Sequence, residues 1–287
     1  MKTLKHVLRE TCFQIQECLS SQDCPGIQDI LSSKLPGLGA ILSSARQFEW
    51  QIIQAPDVQK EKTVIVERYE TLSAEIAEVV VAQIRSKPNS CFGLPTGNSP
   101  LGCYKLLADW SKNNQVDWSQ TRCFQLDEYV EADESITFQH FLQSNLYQYT
   151  NVAPENKFNP GGCDDYDALI ESKGGLDLTI LGLGTNGHIA FNEPGTPLES
   201  WTHSIWLTES TRKANQSYFA AGTTVPYRAV TMGIRTILNS KKLILIASGA
   251  HKKGILEKAL LGSVDPNIPA SYLSLHAHVT VLTDFEF

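Results

Sequence analysis

The chain has 287 residues, of which 42% are hydrophobic and 19% charged, a composition typical of a globular protein with one large or two small domains. Its net charge of −7 and the lack of a Lys/Arg run argue against a nucleic-acid surface, and no apolar run approaches the ~18 residues of a membrane span. Charged and polar residues interrupt the N-terminal apolar stretch, so we expect no signal peptide and a cytoplasmic protein.

The seven cysteines show neither C-x-x-C nor a Cys/His ligand spacing. Three of them, Cys12, Cys18 and Cys24, are evenly spaced, which is compatible with a metal or disulfide site. In a chain without secretory signals a reduced, structural role is favoured. We therefore expect no metal site.

Residues 1–61 differ from the rest of the chain in their predicted secondary structure. They contain two helical patterns, at about residues 3–20 and 38–54, which "DCPG" and "LPGLG" interrupt. No catalytic constellation occurs there. We predict a helical N-terminal extension that packs on its own domain, and the alternative is that it covers a subunit surface in a homo-oligomer.

Residues 62–287 alternate between strand and helix patterns. The predicted strands are "TVIVERY", "SCFGL", "TRCFQL", "GLDLTILGL", "KKLILIASG" and "HVTVLTD". The predicted helices are "SAEIAEVVVAQIRSK", "PLGCYKLLADWSK", "TFQHFLQSNLYQY" and "HKKGILEKALLG". This alternation predicts an α/β domain with a doubly wound, mostly parallel, Rossmann-like sheet, whose ligands bind at the carboxyl ends of the strands.

The first polar segment after a strand is "GLPTGNSPLGCYK", residues 93–105. Its polar loop, formed by Thr96, Gly97, Asn98 and Ser99, leads into a helix, and such a loop suits a phosphate. It is not a Walker A loop, since Gly-Lys-Ser/Thr is missing. The alternative is a plain turn in which Ser99 caps the helix.

The second segment is "FQLDEYV", residues 124–130. Asp127 directly follows a strand and is flanked by apolar residues, so partial burial would raise its pKa and suit it to general-base catalysis. The alternative is that Asp127 caps the following loop.

The third segment, "LGLGTNGHIAFNEPG", contains the spacing G-x-G-x-x-G of a dinucleotide-binding turn. The prolines that follow disfavour the long helix that a dinucleotide site requires. His188 and Glu193 instead suggest an imidazole that a carboxylate orients, which can transfer protons near neutral pH. The alternative is a buried histidine with a purely structural role.

Together with "SGAHKKGIL", these motifs resemble the glucosamine-6-phosphate deaminase/isomerase family. They occur in the family's order over about residues 62–284. The related 6-phosphogluconolactonases share the fold, but their pattern differs after Gly-His, so "FNEPG" and "DEY" favour the deaminase branch.

The resemblance implies a role for each segment. Asp127 would move the proton between C2 and C1 of an amino-sugar phosphate, and His188, oriented by Glu193, would open the sugar ring. Lys252 and the loop 96–99 would bind the phosphate. The implied reaction is an aldose–ketose isomerisation with loss of the amine, giving a ketose 6-phosphate and ammonia without a metal or redox cofactor.

The sequence departs from the family pattern at several positions. Asn186 stands where many members have an Asp that helps to orient the histidine, which predicts an altered pH profile. Ser217 stands where the best-known deaminases have a phosphate-binding Arg. Three arginines could replace it: Arg212, Arg228 and Arg235. His203 and Ile205 replace the basic residues of the family's allosteric site, so we do not expect activation by N-acetylglucosamine 6-phosphate.

Four functions follow from the resemblance. The favoured one is the conversion of glucosamine 6-phosphate to fructose 6-phosphate and ammonia. The galactosamine-6-phosphate subgroup, which gives tagatose 6-phosphate, is matched by "SKGGLDLTILGLG" and "IPASYLSLH" about as well. A 6-phosphogluconolactonase and a non-catalytic sugar-phosphate sensor are more remote alternatives.

Overall fold

A computed structural model of the chain describes residues 63–216, 219 and 224–287. The predicted helical extension, residues 1–61, and Ser217 lie outside these described residues. None of the helices in the described part is long and apolar enough to cross a membrane.

The strands form two sheets. In chain order they are β1 (Thr63–Ile65), β2 (Cys91–Leu94), β3 (Arg122–Gln125), β4 (Asp127–Tyr129), β5 (Lys157–Phe158), β6 (Leu178–Gly182), β7 (His203–Trp206), β8 (Arg228–Thr231), β9 (Leu243–Ala247) and β10 (Val279–Thr283). Seven of them form a parallel sheet in the order β1-β10-β9-β6-β2-β3-β5. The predicted α/β fold with a mostly parallel sheet is confirmed.

Helices cover both faces of this sheet. They are α1 (Tyr69–Ser86), α2 (Leu101–Lys112), α3 (Phe138–Asn145), α4 (Tyr166–Ser172), α5 (Glu209–Asn215), α6 (Ile234–Leu238) and α7 (Lys253–Leu261). One apolar cluster joins α1, α2 and α3 to one sheet face, and a second joins α4, α6 and α7 to the other. The central strands are therefore buried on both sides, which explains why β6 and β9 are almost wholly apolar.

The sequence patterns do not predict the second sheet, which is antiparallel in the order β4-β8-β7. The predicted strand "TRCFQL" ends its parallel pairing at Gln125, and the chain then enters β4, where Asp127 pairs with Thr231. The strand β7 alternates between half-buried and exposed residues, so it carries no continuous apolar run. The helix predicted from "TFQHFLQSNLYQY" ends at Asn145, and a 3-10 turn follows.

Candidate active site

The predicted site residues meet at the carboxyl edge of the parallel sheet, around a cavity of about 860 Å³. Seven of the nine line the cavity: Thr96, Gly97, Asn98, Ser99, Asp127, His188 and Lys252. The other two, Asn186 and Glu193, lie behind His188. Asn186 contacts the His188 ring, and Glu193 contacts Asn186. The parallel strands explain this convergence, because loops from distant parts of the chain leave the sheet at one edge.

The loop 96–99 joins β2 to α2, and Gly97 has a positive φ of 88° that favours glycine. The Tyr69 hydroxyl lies 2.9 Å from the carbonyl oxygen of Asn98 and 3.1 Å from that of Ser99, and it accepts a hydrogen bond from the N–H of Gly102. These hydrogen bonds tie the loop to α1 and to the first turn of α2. No side chain caps α2, so the alternative role of Ser99 as a helix cap does not apply.

Lys252 lies in a 3-10 turn that follows β9. Asp284 holds this turn, because it accepts hydrogen bonds from Ser248 Oγ at 2.6 Å and from the Gly249 N–H at 2.8 Å. Burial lowers the pKa of Lys252, and the nearby Asp284 partly opposes that effect. The turn therefore presents a partly desolvated ammonium group at the cavity wall.

Asp127 is buried in β4, with 7% of its surface exposed. Burial, with a contribution from the adjacent Glu128, raises the pKa of Asp127 to about 8. Glu128 has a structural role, since it accepts hydrogen bonds from the N–H groups of Phe138 and Gln139 at 2.8 Å, at the start of α3. Of the two adjacent carboxyl groups, Asp127 is the one at the cavity, and its raised pKa suits a group that takes and returns a proton near neutral pH.

His188 differs from the predicted arrangement in one respect. Its Nδ1 lies 2.6 Å from Asn186 Oδ1, and Asn186 Nδ2 donates to Glu193 Oε2 at 2.8 Å, so the carboxylate acts through the amide and not directly. Because a carboxylate can only accept, it fixes the orientation of the Asn186 amide and hence places the proton of neutral His188 on Nδ1. Burial and the nearby Lys252 lower the pKa of His188, while Glu193 raises it.

The glycines of the G-x-G-x-x-G segment make room for this histidine. A Cβ on Gly184 would overlap the His188 ring, and Gly187 has a φ of +85° with Ile268 packed against it. No helix follows within residues 189–202, as the sequence predicts. The glycines thus shape a loop that holds an imidazole.

None of the three arginines that the sequence offers as replacements lines the cavity. Arg212 donates to the carbonyl of Val225 and stacks on Tyr227, and Arg235 pairs with Glu199 at 3.0 Å. Arg228 lies over the exposed ring of Trp206. Besides Lys252, the cavity-lining residues of the described chain that can carry positive charge are three histidines: His140, His188 and His251.

Three supporting residues were not predicted. Asp284 follows the apolar strand β10 directly, so the rule that located Asp127 applies to it too. The Thr211 hydroxyl donates to Glu193 Oε1. Tyr69 and Thr211 lie on helices, where nothing in the pattern distinguishes them from surface residues. Within the described residues, no group of three or more His, Cys, Asp or Glu side chains could hold a metal ion.

Comparison with known proteins identifies the family to which the chain belongs. Residues 66–282 match the family model described as glucosamine-6-phosphate isomerases/6-phosphogluconolactonase. A glucosamine-6-phosphate deaminase of Lachnoclostridium phytofermentans is 44% identical over 235 residues, which cover 78% of this chain and 100% of that protein. A glucosamine-6-phosphate deaminase of Clostridium botulinum (strain Loch Maree / Type A3) is 40% identical, over 78% of this chain and 96% of that protein.

Two solved structures extend the comparison. A monomeric glucosamine-6-phosphate deaminase superposes with a TM-score of 0.74 at 38% identity, over 77% of this chain and 96% of that one. A 6-phosphogluconolactonase from Trypanosoma brucei superposes with a TM-score of 0.62 at 19% identity, over 77% and 95%. The second similarity shows a shared fold only.

Proposed function

Since the chain belongs to the family of glucosamine-6-phosphate isomerases and 6-phosphogluconolactonases, we propose that it is a glucosamine-6-phosphate deaminase. It converts glucosamine 6-phosphate and water to fructose 6-phosphate and ammonia. The observation that carries this proposal is the pairing, across one cavity, of a buried carboxyl group with a neutral histidine whose tautomer is fixed. The identity of 38–44% to several deaminases supports it, against 17–19% to the lactonases of similar fold.

His188 opens the sugar ring. Because Nδ1 carries the proton that Asn186 accepts, Nε2 is the nitrogen with a free lone pair. Nε2 takes the proton of the C1 hydroxyl and returns a proton to the ring oxygen, so that the C1–O5 bond breaks and the open-chain aldehyde forms. The lowered pKa of His188 keeps the imidazole neutral at pH 7, as this step requires.

Asp127 then carries out the isomerisation. Its carboxylate removes the proton from C2 while the substrate ammonium group gives a proton to the aldehyde oxygen, so that a neutral enolamine forms. Asp127 then returns to C1 the proton that it took from C2, which leaves an iminium group at C2. Water adds to the imine carbon and ammonia departs, giving the 2-ketose. The raised pKa of Asp127 makes its carboxylate a stronger base than an exposed aspartate, and the cationic amine of the substrate favours the ionised form.

Lys252 and the loop 96–99 hold the phosphate. Lys252 supplies the charge, and the loop supplies backbone N–H groups and the hydroxyls of Thr96 and Ser99. Binding through a group remote from the reacting carbons fixes C1 and C2 between the two proton-transfer groups. We further propose a cytoplasmic enzyme, and the monomeric deaminase among the similar structures means that such an activity does not require an oligomer.

The test is ammonia release from glucosamine 6-phosphate and galactosamine 6-phosphate, measured side by side with the full chain and with Asp127→Asn. We expect turnover of glucosamine 6-phosphate that the substitution abolishes. Turnover of galactosamine 6-phosphate alone would assign the enzyme to the galactosamine-6-phosphate subgroup. Hydrolysis of 6-phosphogluconolactone that Asp127→Asn leaves intact would replace the proposal with a lactonase, and binding of both amino sugars without ammonia release would indicate a sensor.

A further inference from the structure

The short helix α5 contacts the supports of both proton-transfer groups. Thr211 and Asn215 are four residues apart on α5, so their side chains lie on one face of the helix. The Thr211 hydroxyl donates to Glu193 Oε1, and Asn215 Nδ2 donates to the Tyr129 hydroxyl at 3.0 Å. These contacts join α5 to the loop that carries His188 and to the strand β4 that carries Asp127.

The first contact extends the chain of hydrogen bonds behind His188. Glu193 is buried, and its two carboxylate oxygens have different partners: Oε2 accepts from Asn186 and Oε1 from Thr211. Thr211 is itself 6% exposed and lies against the Thr208 hydroxyl at 2.9 Å. Thr211 thus sets the orientation of the carboxylate, and the carboxylate sets the orientation of the Asn186 amide that fixes the tautomer of His188.

The second contact reaches the other proton-transfer group. Tyr129 ends the strand β4 that carries Asp127, and its ring packs on Phe138 and Phe191. Asn215 lines the cavity while it donates to the Tyr129 hydroxyl. One face of one helix therefore links the histidine side of the cavity to the aspartate side.

We propose that Thr211 is a positioning residue for His188, acting through Glu193 and Asn186, and that α5 couples the two halves of the site through Thr211 and Asn215. The proposal rests on the proposed function only in that His188 and Asp127 are the groups that react. It predicts that the Thr211 hydroxyl, and not the bulk of the side chain, sets the protonation behaviour of His188.

The test compares Thr211→Val, which keeps the shape and removes the hydroxyl, with Thr211→Ser, which keeps the hydroxyl. We expect Thr211→Val to lower kcat by about tenfold with KM within about twofold. The histidine is then misplaced, while Lys252 and the loop 96–99, which bind the phosphate, are unchanged. Thr211→Ser should recover most of the loss. Lys213→Ala is the matched control, since it removes the exposed ion pair with Glu209 on the same helix and should leave kcat unchanged.

The titration of His188, followed by NMR and assigned with His188→Gln, is a readout that does not depend on turnover. The charged groups that face the imidazole are Glu193, which raises its pKa, and Lys252, which lowers it. Once Glu193 loses Thr211 it is free to turn away, so we expect the pKa of His188 to fall further in Thr211→Val and to stay native in Thr211→Ser. If the native protein releases no ammonia, the proposed function fails while this titration still decides the inference.

A double mutant separates positioning from stability. In Asn186→Ala the chain behind His188 is already cut, so adding Thr211→Val should change kcat little. Equal native titrations of His188 in both Thr211 variants would overturn the proposal, as would a full additional loss in the double mutant. Thr211→Ala takes the place of Thr211→Val if the latter does not fold.

Discussion

Two buried aspartates flank opposite edges of the parallel sheet, Asp127 in β4 beyond the carboxyl end of β3 and Asp177 before β6. Asp127 is at the carboxyl edge with 7% of its surface exposed, and Asp177, which precedes β6 at the amino edge, has 3%. Burial alone would raise the pKa of both. The pKa of Asp127 is indeed raised to about 8, whereas that of Asp177 is lowered.

The partners explain this difference. Asp177 accepts from Lys241 Nζ at 2.8 Å, from Lys87 Nζ at 2.6 and 2.7 Å, and from the N–H of Cys91 at 2.9 Å. These hydrogen bonds and charges outweigh the burial. The group beside Asp127 is another carboxyl, Glu128. A buried carboxyl with cationic partners stabilises the fold, and one without them is left available for proton transfer.

The largest expected effect is on turnover. Asp127→Asn should lower kcat/KM by about 10²–10⁴, since the amide cannot carry a proton from C2 to C1. The measurement is ammonia release at saturating and limiting glucosamine 6-phosphate. Asp177→Asn is the control and should keep kcat and KM close to native, because it lies at the other edge of the sheet. Retained turnover in Asp127→Asn would remove Asp127 from its proposed role.

The second effect is on stability, and here the substitution of Asp177 matters where that of Asp127 mattered for turnover. Asp177→Asn should lower the free energy of unfolding by about 2–3 kcal/mol, because Lys87 and Lys241 lose the carboxylate that they share. Urea unfolding at pH 7 measures this difference. A variant as stable as the native chain would show that hydration of the two lysines compensates fully for the lost carboxylate.

The third effect concerns the pH dependence of stability. An unfolded aspartate ionises near pH 3.9, while folded Asp127 keeps its proton until about pH 8. The stability that this group contributes is therefore fully present below pH 4 and is lost as the pH rises to about 8. Asp127→Asn removes the dependence, so we expect the variant to gain about 4 kcal/mol over the native chain between pH 5 and pH 8.5. A constant difference in urea unfolding at the two pH values would contradict this.

The smallest effect concerns the lysines at the two edges. Lys252→Met should raise KM for the sugar phosphate by about tenfold with a smaller change in kcat, because an anion loses a partly buried cation. Lys241→Met should leave KM unchanged, since Lys241 is engaged with Asp177. If both variants have the native KM, the phosphate binds elsewhere.

The parallel sheet, the edge where the site lies and seven of the residues that line the cavity could be predicted from the sequence. Apolar runs separated by helical periods specify buried parallel strands, and polar residues directly after such runs must gather at one edge. Asp127 and His188 were found in this way, and Lys252 was found through the family resemblance. Asp284 obeys the same rule and could have been found with them.

The hydrogen bonds between these residues could be seen only in the folded structure. The contact between Asn186 and His188 is local, but its orientation depends on Glu193, and that of Glu193 depends on Thr211, 18 residues away in sequence. Asn215 and Tyr129 are 86 residues apart. Hydrogen bonds across such separations leave no periodic trace in the sequence, because they depend on how helices and sheets pack after the strands have formed.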